Sequence, residues 1–159
     1  MQFVWHLSSF RFNRLQLRFP LGIFGSRTLA IVADDGQATL DGGGSTQLMT
    51  VQGADVALAN LRLSNGNLSE YGGAIYCEGG TTAMLSCVAD SNHATSGGAI
   101  YCWGGTMQMR TCVFASNQTK YGGAVYNYEG TVGMQSCVFD SNHAHPGLRR
   151  HHGVAHVHL

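Results

Sequence analysis

The chain has 159 residues, enough for one domain of ordinary size. Nine Lys plus Arg balance nine Asp plus Glu, which removes the simplest electrostatic case for a nucleic-acid or anionic-membrane partner. Charged residues are 11 % of the chain, against roughly 25 % in an average soluble domain; that is too few to coat the outside of a helical bundle, while 22 Gly against 2 Pro predict tight turns between extended segments.

Residues 1–33 carry Arg11, Arg14, Arg18 and Arg27 and no acid. Phe19 to Phe24 is short and broken by Pro20 and Gly22, so it lacks the apolar core of a secretory leader. Residues 1–27 are expected to be an irregular or non-native segment. No run approaches the ~18 apolar residues of a membrane span. Faint alternation starts at Leu29, Ile31 and Leu40 and stops at Gly42-Gly43-Gly44. Met49 and Val51 follow, then Val56, Leu58, Leu61 and Leu63.

A repeat governs what comes next. Gly72-Gly73-Ala74-Ile75-Tyr76-Cys77 returns as Gly97-Gly98-Ala99-Ile100-Tyr101-Cys102 and as Gly122-Gly123-Ala124-Val125-Tyr126-Asn127. A second block keeps the same beat of about 25 residues. It reads Cys87-Val88-Ala89-Asp90-Ser91-Asn92, Cys112-Val113-Phe114-Ala115-Ser116-Asn117 and Cys137-Val138-Phe139-Asp140-Ser141-Asn142. Two independent blocks with one spacing mark a repeat architecture. Inside each repeat the apolar period is two. Met107 and Met109 alternate with Gln108 and Arg110, then Cys112 and Phe114 share a face. Val132, Met134, Cys137 and Phe139 repeat the pattern, as do Thr82, Met84, Cys87 and Ala89. Counting back 26 residues instead of 25 recovers Val56, Leu58, Leu61 and Leu63, with the extra residue in the turn before Gly72. Such alternation predicts strands with one buried face. The step of three between the apolar pairs predicts a bend between short strands.

A short strand cannot bury its apolar face alone. Equivalent strands stacked in register put identical side chains above one another at ~4.8 Å per layer. The predicted fold is therefore all-β, a right-handed parallel β-helix of about four to five coils over residues 28–145. Paired glycines supply corners where φ can be positive. Asn67, Asn92, Asn117 and Asn142 are expected to stack as an amide ladder. Ile75, Ile100 and Val125, and Phe114 with Phe139, form apolar columns. A propeller or antiparallel sandwich is the competing architecture. It wants longer repeats or recurrent hairpin turns, and only Asn65-Gly66 fits a hairpin turn.

These two blocks resemble the repeats of the chlamydial polymorphic outer membrane proteins, which carry Gly-Gly-Ala-(Ile/Val/Leu) and Phe-x-x-Asn. The first motif is complete at Gly72, Gly97 and Gly122. The second is complete at Phe114 to Asn117 and Phe139 to Asn142 and loses its aromatic at Ala89 to Asn92. Ala38 to Ser45 is similar to the entry into many surface β-helices. The resemblance covers residues 28–145. It implies a surface or secreted, extracellular setting and a role in adhesion.

Candidate chemistry is sparse. The five cysteines fall in two columns, Cys77 with Cys102, and Cys87, Cys112 and Cys137. Either they stack as buried thiols, or neighbouring layers allow a bridge such as Cys77–Cys102. Their Cys-x9-Cys spacing is not that of a zinc site. His143, His145, His151, His152, His156 and His158 crowd the C-terminus, where 146–159 reads as a His-rich disordered tail. His93 is expected to face solvent. Asp34, Asp35 and Asp41 are the clustered carboxylates, and β-helix enzymes that act on polysaccharides use such groups. The outward positions, Leu85, Gln108, Arg110, Gly133 and Gln135, form no acidic or basic column. Asn67-Leu68-Ser69 and Asn117-Gln118-Thr119 match glycan acceptor motifs, but a ladder amide cannot also carry a glycan. Tyr76, Tyr101 and Tyr126 stack on the outer face, where a tyrosine stripe either braces the sheet or binds sugars and partners.

The expectation is a non-catalytic surface or secreted module for adhesion or scaffolding, without a cofactor or catalytic residues. It is expected to be a fragment or short form. Its partners would be carbohydrate or a cell-surface protein, not nucleic acid, and uncapped ends would associate end to end. The alternative is a fragment of a polysaccharide-acting enzyme whose active site lies outside this chain.

Overall fold

The computed structural model describes residues 2–6 by backbone and residues 14–34, 36–68 and 70–144 in full. The expected tail at 146–159, with His145, His151, His152, His156 and His158, lies outside the described residues, as does Asp35.

Among the described residues every strand pairs in parallel and there is no helix. The first sheet holds β1 (Gln2–His6), β4 (Thr28–Val32), β7 (Asp55–Ala59), β10 (Thr81–Leu85), β13 (Thr106–Arg110) and β17 (Thr131–Gln135). The second holds β2 (Arg14–Gln16), β5 (Ala38–Asp41), β8 (Leu61–Ser64), β11 (Val88–Asp90), β14 (Val113–Ala115) and β18 (Val138–Asp140). The third holds β3 (Leu21–Phe24), β6 (Met49–Gln52), β9 (Ile75–Glu78), β12 (Ile100–Trp103) and β16 (Val125–Tyr128). A short pair, β15 (Gln118–Thr119) and β19 (His143–Ala144), adds to one corner. The chain visits the three sheets in turn and returns one layer higher, a parallel β-solenoid of about five turns.

Register follows the sequence beat. Thr106 pairs with Thr81 and Thr131, Phe114 with Ala89 and Phe139, Ile100 with Ile75 and Val125. One coil earlier the interval is 26, with Val56 opposite Thr82 and Leu63 opposite Ala89. It is still 26 at Asn67↔His93 and becomes 25 at Tyr71↔Ser96. The extra residue thus sits between Asn67 and Tyr71, in the turn before Gly72. Leu29, Ile31 and Leu40 join the same columns. So does the stretch ahead of residue 28, expected to be irregular. There β2 and β3 pair with β5 and β6, and Leu17 and Ile23 are buried. Alternating Leu15, Leu17, Leu21 and Ile23 give this coil an inner face too weak to stand out against its arginines.

The core is a tube of columns. Leu40, Leu63, Ala89 and Phe114 fill one side, Met49, Ile75 and Ile100 another, Leu58, Met84 and Met109 the third. Burial alternates along β7, β10 and β13 because successive side chains point to opposite sheet faces. Three corners come from left-handed residues that stack as well, single except at Gly79-Gly80. Asn60, Ser86, Thr111 and Ser136 turn the first sheet into the second. Asn65, Ser91, Ser116 and Ser141 end the second, and Gly53, Gly79, Gly104 and Glu129 end the third. One left-handed residue between two strands explains the step of three between apolar pairs.

The Gly-Gly-Ala motif has a steric cause. Gly97 has φ +62°, and a Cβ there would overlap the carbonyl oxygen of Ile100. A Cβ at Gly73 would overlap the carbonyl oxygen of Gly98 one coil on, so the second glycine lets neighbouring coils touch. Thr111 is the outlier among the corners, a β-branched residue at φ 53°. Asn60 fills the same column, and Asn tolerates this conformation. Thr111→Asn is therefore expected to stabilise the fold by about 1 kcal/mol, read as a higher melting temperature. An unchanged or lower melt would mean that the corner carries no strain.

Candidate functional site

The inward columns come first, because they decide which groups remain for function. Asn92 and Asn117 are fully buried. The Asn117 amide nitrogen donates to Ala89 O at 3.0 Å and to Asn142 Oδ1 at 2.8 Å. Its own oxygen accepts from the Asn92 backbone N–H and amide, both at 3.0 Å. The ladder closes on the backbone N–H of Gly66, which donates to Asn92 Oδ1 at 2.8 Å. Asn67 is therefore not a rung, contrary to expectation. The 26-residue interval puts Gly66 in the column and sets Asn67 opposite His93, with Nδ2 donating to Gly44 O at 2.9 Å. Of the two glycan acceptor motifs, that at Asn117 is locked in the ladder and that at Asn67 lies outside it.

All five cysteines are free thiols, and Cys77 and Cys102 face each other in register without a bridge. Cys77, Cys87, Cys102 and Cys112 are buried, and Cys137 is half-buried in the last coil. The hydrogen bond with Cys77, together with burial, holds the Cys102 thiol above its ordinary pKa; Cys112 and burial do the same to Cys87. A thiol reacts as the thiolate and needs access. Cys137 is thus expected to be alkylated first in the native protein, the other four only on unfolding, as peptide mass spectrometry would record. Early labelling of Cys87 or Cys112 would contradict the inward column. Asn127 stands where the two preceding coils carry Cys77 and Cys102. Its Oδ1 is the one buried side-chain oxygen or nitrogen lacking a partner among the described residues.

Of the carboxylates that sequence grouped, Asp41 is built into the stack. Asp41 is fully buried, accepts from Gly43 N at 2.8 Å and from Asn65 Nδ2 at 3.1 Å, and pairs with Arg14. Asp90 receives both Arg62 Nε at 2.8 Å and an Arg62 terminal nitrogen at 2.7 Å. These are braces between coils. Among the described residues no group of three or more His, Cys, Asp and Glu is placed to hold a metal ion. His93 and His143 are exposed at one corner, and no described helix is long and apolar enough to cross a membrane.

Outward chemistry concentrates on the third sheet. Its columns run Thr50, Tyr76, Tyr101, Tyr126 and Gln52, Glu78, Trp103, Tyr128. Rings of Tyr76 and Tyr101 stack at 5.8 Å and those of Tyr101 and Tyr126 at 5.3 Å, within 14° and 10° of parallel. This column spends its ring faces on itself and braces the sheet. Tyr71 packs on Tyr101 at 4.6 Å, and Trp103 meets Tyr128 edge-on at 6.3 Å. Trp103, Tyr128, Tyr71 and Tyr121 keep between 42 and 52 % of their surface exposed. Sequence reasoning found the stacked tyrosines but missed these four. Their signal was the period of two at Trp103 and Tyr128 and the corner position of Tyr71 and Tyr121. Beside them Glu78 accepts from Gln52 at 2.8 Å and from the Tyr76 hydroxyl at 3.2 Å.

Burial, then the Glu78 carboxylate, pushes Tyr76 up to about 12. The unfolded value is ~10. A group whose folded pKa is raised stabilises the fold fully below the unfolded value and loses that contribution as pH climbs through the folded one. The loss should therefore fall between pH 10 and about 12. Ultraviolet titration of Tyr76→Phe against wild type should remove the highest phenolate step. A Tyr76 step at the unfolded value would contradict its burial beside Glu78.

The fold and these columns define a class, the parallel β-solenoid repeat proteins. Comparison with known proteins gave no match to a family model, a curated protein or a solved structure.

Proposed function

We propose that the chain is a non-catalytic β-solenoid module that offers a rigid aromatic face to a partner at or outside the cell surface, for adhesion or scaffolding. The supporting observation is the third sheet, where Trp103 and Tyr128 stand exposed over coils locked by the Asn ladder. Large amphipathic rings on a rigid frame lose little entropy on binding. Glu78 in these columns and Glu129 at the corner after Tyr128 have no lysine or arginine among the column residues, which favours neutral sugars or cationic protein surfaces over anionic partners. Resemblance of the Gly-Gly-Ala and Phe-x-x-Asn blocks to polymorphic outer membrane protein repeats supports the surface setting.

The test is binding of the purified chain to immobilised neutral glycans and to intact cells. Trp103→Ala with Tyr128→Ala should weaken binding at least about tenfold, the effect of losing aromatic anchors. Gln108→Ala on the first sheet should leave it unchanged. Release of new reducing ends from a polysaccharide by the chain would overturn the non-catalytic reading in favour of a polysaccharide-acting enzyme.

A further inference from the structure

Both ends of the described stack are unfinished in complementary ways. At the C-terminal end β16, β17 and β18 are the outermost strands of their sheets. Phe139 stacks on Phe114 at 4.9 Å through one face and keeps 41 % of its surface exposed. At the N-terminal end β1, β2 and β3 are outermost, and Leu15, in the same column as Phe139, is 48 % exposed. An edge strand carries an unpaired row of N–H and C=O groups that template further pairing.

We propose that the C-terminal coil docks the N-terminal coil of a second copy, in register, so that all three sheets run through the junction. Strand lengths match sheet by sheet. β17 and β1 each have five residues, β18 and β2 three, β16 and β3 four. The columns set Phe139 on Leu15 of the second copy, and Tyr128 on its Phe24. Charge is complementary as well. Residues 122–144 carry Glu129 and Asp140 and no lysine or arginine, whereas residues 14–27 carry Arg14, Arg18 and Arg27 and no acid. Register places Asp140 diagonally beside Arg14 of the second copy. Within the chain the second sheet also joins coils by diagonal pairs, there with the arginine one coil before the acid, Arg14 with Asp41 and Arg62 with Asp90, so the junction would set Asp140 on the other side of an Arg14 that Asp41 already holds. A head-to-tail contact leaves one free end of each kind, so association is open and grows with concentration.

The test uses the full 159-residue chain in sedimentation and light scattering. Wild type should give a mean mass that rises with concentration and falls in high salt. Leu15→Lys blocks one end and Phe139→Lys the other, so each alone should remain monomeric. Mixed one to one, they retain one good end of each kind and should form a dimer and stop there. Asp140→Arg, at an exposed position, should weaken association at least about tenfold by setting like charges together. It keeps the test open if either lysine variant loses its β-sheet circular dichroism. Three outcomes would each overturn the proposal. They are a wild type that stays monomeric at high concentration, as when another part of the same chain covers the edge; a Leu15→Lys variant that self-associates, which is tail-to-tail pairing; and association indifferent to all three variants, which is lateral contact.

Discussion

Asn117→Ala is expected to cost about 3–5 kcal/mol, because several buried groups lose partners at once and each costs roughly 1–3 kcal/mol when left unmade. The Asn92 backbone N–H and amide both lose Asn117 Oδ1, and Ala89 O loses its donor. Asn142 Oδ1 keeps only the Asn117 backbone N–H. No water can replace these bonds without entering a site where Asn117 is fully buried. Asn67→Ala is the control. That side chain bonds Gly44 O on an exposed corner, so its loss should cost less than about 1 kcal/mol. Urea unfolding of both variants checks the difference. Similar costs for the two would return Asn67 to the ladder and remove Gly66 from it. Asn117→Asp should be worse than alanine at neutral pH, since a carboxylate would face two acceptor oxygens, and should recover as pH falls and the carboxyl becomes a donor.

Phe114→Ala should lose about 3–5 kcal/mol, the range for truncating a buried aromatic. Phe114 is fully buried, with Phe139 stacked on one side and Ala89 in register on the other. Ala89 is the reason the cavity would stay open. The layer below already carries a small side chain, and backbone bonds between coils prevent the layers from closing. Gln108→Ala, on the outer face of β13, should cost less than about 0.5 kcal/mol. Because each coil touches only its neighbours, the loss from Phe114→Ala should also be local. Amide exchange should accelerate most in β11, β14 and β18. Equal costs at Phe114 and Gln108 would reverse inside and outside.

Much of the solenoid was legible because its two signals are local. Alternation of Met107 and Met109 with Gln108 and Arg110 marks a face wherever the strand lies, and two motif blocks on one beat imply stacked equivalents. The columns through Ile75, Ile100 and Val125, and through Cys87, Cys112 and Cys137, follow directly. The Asn ladder was legible for Asn92, Asn117 and Asn142 but wrong by one residue at the next rung. The candidate binding face was half legible. Stacked tyrosines announced themselves by repetition, whereas Trp103 and Tyr128 occur once each in a column that elsewhere holds Phe24, Gln52 and Glu78.

By itself the amino-acid order determined the layer interval, the inward columns and the all-β class, since each depends on side chains a fixed distance apart along one chain. Only the tertiary structure decided that Gly66 and not Asn67 receives Asn92, that residues 14–24 continue the stack, and that Tyr76, Tyr101 and Tyr126 use their ring faces on one another. Register in a solenoid changes where one coil holds an extra residue, here between Asn67 and Tyr71. That place is chosen by the backbone hydrogen bonds to the layers above and below, which counting along the chain does not contain.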